Sequence, residues 1–246
     1  MYSFTSHVRY SEVDENWRLT IPALIDYLQD CSTFQSDLLG MGPEHIASTK
    51  LAWMLSAWKI EIRKLPHFND EIVVSTWATG FKGLRASRNF TVRRAGDATD
   101  AGPIVRADSS WFMFDSNKGR PVRTPENESA PYLADAEKDA PLGMPAIPHV
   151  VRIEDEGEPL VPVQVTAAHL DTNHHVNNAQ YVAIALGALG ERMPAAPLTL
   201  DVHYSQAAKL GDVIYPHLHE QDGALTVTLD NADGKHYALV SVSYNP

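Results

Sequence analysis

The chain has 246 residues, of which 44% are hydrophobic and 21% are charged. This composition is typical of a folded globular protein and excludes a fibrous or low-complexity one. A formal net charge of −11 argues against general binding to nucleic acid or to anionic membranes, because their phosphates repel an acidic surface. A single cysteine, Cys31, excludes an internal disulfide framework.

No basic start followed by an apolar segment is present at the N-terminus, and no run of about 18 apolar residues occurs anywhere in the sequence. We therefore expect neither a signal peptide nor a membrane span. The expected location is the cytoplasm.

The first half of the chain predicts one helix followed by strands. Apolar residues recur at spacings of three and four over residues 22–39, which indicates an amphipathic helix with Thr20 as its N-cap and Pro22 in its first turn. Runs rich in Val, Ile, Trp, Phe and Thr then predict strands over residues 51–62, 71–79, 87–94 and 104–115. This order is an α+β pattern.

A proline-rich stretch follows. Residues 121–159 contain seven prolines and little periodicity, so we interpret them as a linker that crosses the surface. Together with the resemblance described below, this places an N-terminal unit at residues 1–135, a linker at residues 136–159 and a C-terminal unit at residues 160–246.

The second half repeats the order of the first. Strands are predicted over residues 162–167, 198–204, 212–219, 225–230 and 236–244, and a mostly apolar helix over residues 177–189. Two sequence matches support a duplicated unit. Val13-Asp14-Glu15-Asn16 corresponds to Leu170-Asp171-Thr172-Asn173 before each helix, and Phe68-Asn69-Asp70-Glu71-Ile72 corresponds to Leu210-Gly211-Asp212-Val213-Ile214 at the start of a strand.

Basic charge is concentrated in the first half. Residues 50–123 contain thirteen basic and seven acidic side chains, a balance of +6, whereas residues 141–246 contain four basic and twelve acidic side chains, a balance of −8. Solvated strand faces would explain this distribution. A docking patch for a small acidic partner is the alternative.

The densest polar cluster is Leu170-Asp171-Thr172-Asn173-His174-His175-Val176-Asn177-Asn178, between a predicted strand and the second helix. His175 can act as a general acid or base, Asn173 can supply an amide, and Asp171 can orient either of them. A structural turn whose Asp and Asn cap the helix is the alternative. The Asp and Asn recur at Asp14 and Asn16, but Arg18 takes the place of His175, which suggests that only the second copy is active.

Other chemistry has little support in the sequence. Adjacent histidines such as His174 and His175 diverge, and no second ligand pair follows them, so we expect no metal. Neither a glycine-rich phosphate loop nor a Gly-x-Ser-x-Gly elbow is present. Cys31 lies on the apolar stripe of the first helix, where a buried inert thiol is expected.

These residues resemble the acyl-acyl carrier protein thioesterase family of the bacterial, tandem double-hotdog type, over nearly the whole chain. The first-half motifs are Leu51-Ala52-Trp53, Trp58-Lys59-Ile60-Glu61-Ile62, Pro66-His67-Phe68-Asn69-Asp70-Glu71-Ile72 with Thr76-Trp77, and Arg106-Ala107-Asp108-Ser109-Ser110-Trp111 with Arg120-Pro121. The second-half motifs are Asp171-Thr172-Asn173-His174-His175-Val176-Asn177-Asn178 with Tyr181, and Tyr204 followed by Lys209-Leu210-Gly211-Asp212.

The resemblance implies two tandem hotdog units, each a long helix wrapped by an antiparallel sheet. It also implies hydrolysis of the thioester between a fatty acyl chain and carrier-protein phosphopantetheine, which ends chain elongation and needs no cofactor. Asp171, Asn173 and His175 carry over as the catalytic residues. The N-terminal unit is expected to hold the acyl pocket and to dock the acidic carrier, and whether the chain forms a homodimer stays open.

The expected docking residues are basic: Lys82, Arg85, Arg88, Arg93 and Arg94.

One segment departs from the family pattern. The family usually brings a glutamate, followed in plant members by a cysteine, to the positions that Ala207 and Ala208 occupy here. Alanine can neither accept a proton nor attack a carbonyl. The sequence thus leaves three activities open: an acyl-carrier thioesterase in which His175 alone activates water, an acyl-coenzyme A thioesterase, and a non-catalytic acyl-binding protein.

Overall fold

A computed structural model describes residues 1–98, 101–133, 139–148, 151–153 and 155–244. They divide into two compact units. Unit 1 comprises Met1–Ala57 and Lys64–Ile147, and unit 2 comprises Trp58–Arg63 and Pro148–Pro246. The predicted boundary at residue 135 lies outside the described residues.

Among its described residues, unit 1 contains three α-helices and most of the first six strands. The helices are α1 (Ile21–Leu38), α2 (Pro43–Thr49) and α3 (Glu126–Leu133), and the strands are β1 (Tyr2–His7), β2 (Leu51–Ile62), β3 (Glu71–Lys82), β4 (Arg85–Arg94), β5 (Val105–Asp115) and β6 (Arg120–Val122). The strand order is β1-β3-β4-β5-β2, with β6 beside β5. The pairs β1–β3, β3–β4 and β4–β5 are antiparallel.

Unit 2 repeats this arrangement on a smaller scale, with one α-helix among its described residues. The elements are β7 (Glu158–Pro159), β8 (Val163–Gln164), α4 (Asn178–Leu189), β9 (Leu198–Tyr204), β10 (Val213–Gln221), β11 (Ala224–Asp230) and β12 (His236–Tyr244). The order is β2-β9-β12-β11-β10-β7, with β8 also on β10, and the last residues of β2 belong to this unit. The pairs β9–β12, β12–β11 and β11–β10 are antiparallel.

The α+β prediction is confirmed, and the predicted first helix coincides with α1. Thr20 caps it as expected, because its hydroxyl accepts the N–H of Ala23 at 3.4 Å. Leu24, Leu28 and Cys31 on the inner stripe are fully buried. Burying a leucine side chain of this kind contributes roughly 2 kcal/mol, so the stripe holds α1 against the sheet.

Two predicted segments differ from the structure. The stretch 121–159 is not a linker throughout, because it contains α3 and the two-residue strand β7. The predicted strand at residues 162–167 is reduced to β8, because the chain enters a short 3₁₀ turn at Ala167–His169. Proline content explains the first error, because Pro131 lies inside α3.

Candidate active site

The loop before α4 is folded around the carboxylate of Asp171. Its Oδ1 accepts the backbone N–H of Asn173 at 2.8 Å and that of His175 at 3.2 Å, and its Oδ2 accepts the side-chain amide of Asn173 at 3.3 Å. The backbone closes the same turn, since Asp171 donates its N–H to the carbonyl of His175 at 2.8 Å. His174, at the tip, has φ of +61°. Asp171 thus fixes the shape of the loop.

The end of this loop is tied to its surroundings by backbone hydrogen bonds. Val176 donates its N–H to the carbonyl of Ala208 at 3.0 Å, and Asn177 donates its N–H to the carbonyl of His169 at 2.9 Å. The side chain of Asn177 then caps α4 by accepting the N–H of Ala179 at 2.9 Å. The loop is therefore held on a rigid frame at the N-terminus of a helix, as expected of a functional loop.

The backbone N–H groups of residues 179–181, at the start of α4, are used within the helix and its cap. The N–H of Ala179 is used by the cap, and the N–H groups of Gln180 and Tyr181 both donate to the carbonyl of Asn177. These three groups do not point at a ligand. Of the nearby donors, the exposed side-chain amide of Asn173 keeps a second N–H for a substrate carbonyl.

The three predicted site residues share one loop but not one hydrogen-bond chain. Asp171 and Asn173 contact each other through their side chains. The imidazole of His175 is half-buried and, within the described ranges, makes no hydrogen bond. A histidine of this kind is available to take a proton from water, which is what a general base requires.

Tyr181 has a role that the sequence did not reveal. Its Oη accepts the N–H of Ala208 at 2.7 Å, and its ring lies 6.0 Å from that of Tyr204. Burial raises the pKa of Tyr181 to about 12, so the phenol is neutral at physiological pH. Both backbone groups of Ala208 therefore hold the loop in place, through Tyr181 and Val176. Tyr181 is one of the motif residues of the family resemblance, but nothing in the sequence indicates that its hydroxyl binds the backbone of Ala208.

The corresponding loop in unit 1 has the same hydrogen bonds from backbone N–H groups. Asp14 Oδ1 accepts the N–H groups of Asn16 at 2.8 Å and Arg18 at 3.0 Å, and Asp14 donates its own N–H to the carbonyl of Arg18 at 2.8 Å. Trp17 takes the left-handed position of His174, with φ of +63°. The duplication inferred from the sequence thus extends to these backbone hydrogen bonds, and unit 1 has Arg18 where unit 2 has His175.

The second sequence match also corresponds in the structure. Asp70 accepts the N–H of His67 at 2.7 Å, and Asp212 accepts the N–H of Lys209 at 2.8 Å. The correspondence between the two units therefore extends to these two turns.

The predicted basic docking patch needs correction. Arg88 is only 8% exposed and faces the interior, so it cannot contact a partner at the surface. Lys82 and Arg85 flank the turn of the β3–β4 hairpin, whereas Arg93 and Arg94 lie at its other end. Arg93 lies eight positions after Arg85 along β4, which corresponds to about 27 Å. These residues do not form one patch.

No cluster of three or more His, Cys, Asp or Glu side chains suited to a metal ion occurs in the described part of the chain. No helix among those residues is long and apolar enough to cross a membrane.

Comparison with known proteins identifies the family. Residues 1–132 match the family model of the acyl-ACP thioesterase N-terminal domain, and residues 154–246 match that of the acyl-ACP thioesterase C-terminal domain. The chain belongs to the acyl-ACP thioesterase family. Its tandem hotdog fold is thereby confirmed, as is the resemblance noted in the sequence.

Relatives of this acyl-ACP thioesterase family member are distant in sequence. It is 23% identical over 249 residues to oleoyl-acyl carrier protein thioesterase 1, chloroplastic, of Arabidopsis thaliana, covering 95% of this chain and 66% of that protein. It is 25% identical over 211 residues to the palmitoyl-acyl carrier protein thioesterase, chloroplastic, of the same plant, covering 79% of this chain and 49% of that protein. The chain thus spans about half to two thirds of the length of these relatives.

Solved structures share the fold of this family member. An acyl-ACP thioesterase from Bacteroides thetaiotaomicron superposes with a TM-score of 0.83 at 22% identity, covering 98% of this chain and 96% of that one. The 12:0-ACP thioesterase from Umbellularia californica superposes with a TM-score of 0.82 at 16% identity, with the same coverage.

Proposed function

We propose that this protein hydrolyses the thioester of fatty acyl-acyl carrier protein, releasing a free fatty acid and the carrier thiol. The observation that carries the proposal is the loop of unit 2, in which Asp171 holds the backbone and the His175 imidazole is left without a partner among the described residues. Membership of the acyl-ACP thioesterase family supports it. The expectation that the protein acts in the cytoplasm stays a prediction.

In the proposed reaction, His175 takes a proton from a water molecule as that water attacks the thioester carbonyl. The side-chain amide of Asn173 donates to the developing oxyanion, and Asp171 keeps the loop in place. A positioned general base accelerates the reaction roughly 10²- to 10⁴-fold, and an oxyanion donor accelerates it roughly 10²- to 10³-fold. The proton then passes to the departing sulfur, so that the carrier leaves as a thiol.

The test is thiol release from acyl-carrier protein substrates of varied chain length. We expect His175→Ala to lower turnover by roughly 10²-fold or more, because the base is lost. His174→Asn is the matched control, since asparagine tolerates the left-handed backbone at this position and His174 has no role in the proposed reaction. Equal turnover by His175→Ala and the native protein, with circular dichroism unchanged, would contradict the assignment.

A second candidate is an acyl-binding protein without catalysis. The observation behind it is Ala208, which is fully buried and uses its N–H and carbonyl to hold the loop. The residue at this family position thus has a structural role and no catalytic one. This candidate predicts that acyl thioesters bind and that no thiol is released by either the native protein or His175→Ala.

Acyl-coenzyme A is the alternative substrate. It lacks the acidic surface of a carrier protein, so the two substrates are distinguished by comparing kcat/KM for the same acyl chain on each carrier. A higher value for the carrier-bound chain supports the proposal.

A further inference from the structure

A lysine follows Ala208, the residue that ties down the loop of unit 2. Lys209 is exposed, and its ammonium forms no ion pair with a carboxylate in the described part of the chain. Its backbone N–H is bound by Oδ2 of Asp212 at 2.8 Å, and the same oxygen accepts the hydroxyl of Tyr237 at 3.2 Å. The main chain of Lys209 is thus fixed, and its side chain is available to a ligand.

A bridge in unit 1 shows what this position faces. Arg18 and His67 lie opposite each other in an isolated antiparallel bridge. Beside it, Leu19 donates its N–H to the carbonyl of Pro66 at 2.8 Å. Because the bond joins the neighbours of the bridged pair, the pair itself is of the non-hydrogen-bonded kind. The Cα atoms of such a pair are about 4.5 Å apart, and their side chains come close.

Lys209 takes the place of His67 in unit 2. Asp70 accepts the N–H of His67 at 2.7 Å, and Asp212 accepts that of Lys209 at 2.8 Å. The reverse bonds also correspond, since Asp70 donates its N–H to the carbonyl of His67 at 3.0 Å and Asp212 donates to that of Lys209 at 3.1 Å. The two turns therefore have the same backbone hydrogen bonds.

The bond beside the bridge recurs in unit 2 as well. Val176 donates its N–H to the carbonyl of Ala208 at 3.0 Å. His175 precedes Val176 and Lys209 follows Ala208, so the antiparallel arrangement of unit 1 puts Lys209 opposite His175. Directly opposite residues have Cβ atoms about 4.5–5.5 Å apart on one face. By this correspondence, an ammonium lies next to the imidazole of the proposed general base.

A cation at this position is unusual for unit 2. Residues 141–246 contain four basic side chains against twelve acidic ones, so Lys209 is not part of a basic surface. Water attack on a thioester makes the carbonyl oxygen negative, and donors aimed at that oxygen give large rate effects. The side-chain amide of Asn173 supplies one such donor. An ammonium beside His175 would supply a second one that also carries charge.

We propose that Lys209 is a catalytic residue whose ammonium donates to the oxyanion, an inference that rests on the hydrolysis proposed above. The water oxygen bonds to the carbonyl carbon, the carbonyl π electrons move to its oxygen, and His175 takes the proton of the water. When the carbonyl re-forms, the carbon–sulfur bond breaks and that proton passes to the sulfur. Lys209 keeps its own protons throughout.

The first experiment needs no turnover. Isothermal titration calorimetry compares dodecylphosphonate with dodecan-1-ol, because the phosphonate carries negative oxygens on a tetrahedral centre. We expect the native protein to bind the phosphonate at least about tenfold more tightly, since hydrogen bonds to charged groups are the stronger ones. Lys209→Met is expected to lose most of this preference, and Lys209→Arg to keep most of it. Equal affinities in the native protein, or a full preference in Lys209→Met, would overturn the proposal.

The second experiment measures thiol release from acyl-carrier protein. Lys209→Met is expected to lower kcat at least about tenfold with KM within about twofold of the native value, because the contact forms in the transition state. Lys209→Arg should recover part of kcat, which a merely structural role would not explain. Arg18→Met removes the exposed cation of the corresponding bridge in unit 1 and is the matched control, with kcat expected to be unchanged.

The two proposals fail in different ways. A native kcat in Lys209→Met would overturn the role of Lys209 and leave the hydrolysis standing. If the native protein released no thiol from any acyl-carrier protein, the hydrolysis would be wrong and the catalytic role of Lys209 would fall with it.

Discussion

At the scale of single residues, Asp14 and Asp171 form a natural matched pair. Each carboxylate accepts two backbone N–H groups of its own loop. Hydrogen bonds to a charged group contribute about 1.5–3 kcal/mol, so Asp14→Ala and Asp171→Ala are each expected to lower the free energy of unfolding by about 1–3 kcal/mol. Urea titrations monitored by circular dichroism measure the free energy of unfolding of each variant.

The two substitutions are expected to differ in their effect on thiol release. Asp171→Ala releases the loop that positions His175 and Asn173, and we expect it to lower thiol release at least about tenfold, because small misplacements of reacting groups are costly. Asp14→Ala should leave kcat within about twofold of the native value when both variants are assayed well below their melting temperatures. Equal loss of activity in both variants would show that the loop of unit 2 has no special chemical role.

Tyr181 provides a prediction about pH. Its pKa rises from an ordinary 10.0 to about 12 because the phenol is buried, so the unfolded chain releases this proton first as the pH increases. The free energy of unfolding should therefore fall between about pH 10 and pH 12. Tyr181→Phe should remove part of that slope, in addition to a loss of about 1–3 kcal/mol at all pH values from the unpaired N–H of Ala208. Identical slopes in urea titrations of the variant and the native protein would contradict this account.

At the scale of elements, periodicity predicted α1 and the long strands well, because burial on one face imposes a period on the sequence. It failed for α3, whose Glu126–Leu133 segment includes Pro131 and few apolar residues. Side-chain contacts of Glu128 and Tyr132 with distant residues hold α3 in place instead. Glu128 pairs with His45 at 3.0 Å, and the hydroxyl of Tyr132 donates to Ser36 at 2.9 Å. Contacts between residues so distant in sequence leave no local pattern.

The thiol within α1 tests how tightly this element is packed. Burial raises the pKa of Cys31 to about 12, and the side chain is fully buried. Because the thiolate is the reactive form, Cys31 should not react with iodoacetamide at pH 8 in the folded protein and should react readily in guanidinium. Mass spectrometry measures the modification. Rapid labelling without denaturant would mean that α1 separates from the sheet in the native state.

At the scale of the whole molecule, the order of elements and the duplication could be predicted from the sequence, whereas several side-chain contacts could not. The matches at Asp14 and Asp171 located both loops, because the same short turn needs the same carboxylate. Arg88 was misjudged as a surface residue, since a basic residue in a strand is usually exposed. Its interior position depends on residues distant in sequence, because Gln35 and Thr76 accept its hydrogen bonds.

Carrier docking is the prediction that involves the whole surface. With Arg88 buried, we place carrier docking at Lys82 and Arg85, at the tip of the β3–β4 hairpin, because Lys82 is exposed there and Arg94 at the other end is paired with Asp70. Charge reversal by Lys82→Glu and Arg85→Glu should raise KM for acyl-carrier protein several-fold and leave KM for the same acyl chain on coenzyme A unchanged. Added salt should also raise the native KM for acyl-carrier protein, because screening weakens steering between exposed charges.

Lys235→Glu, which replaces an exposed lysine in unit 2, is the control for net charge. If Lys235→Glu raised KM as much as the hairpin variants, overall charge would account for the effect and the hairpin would not be the docking surface.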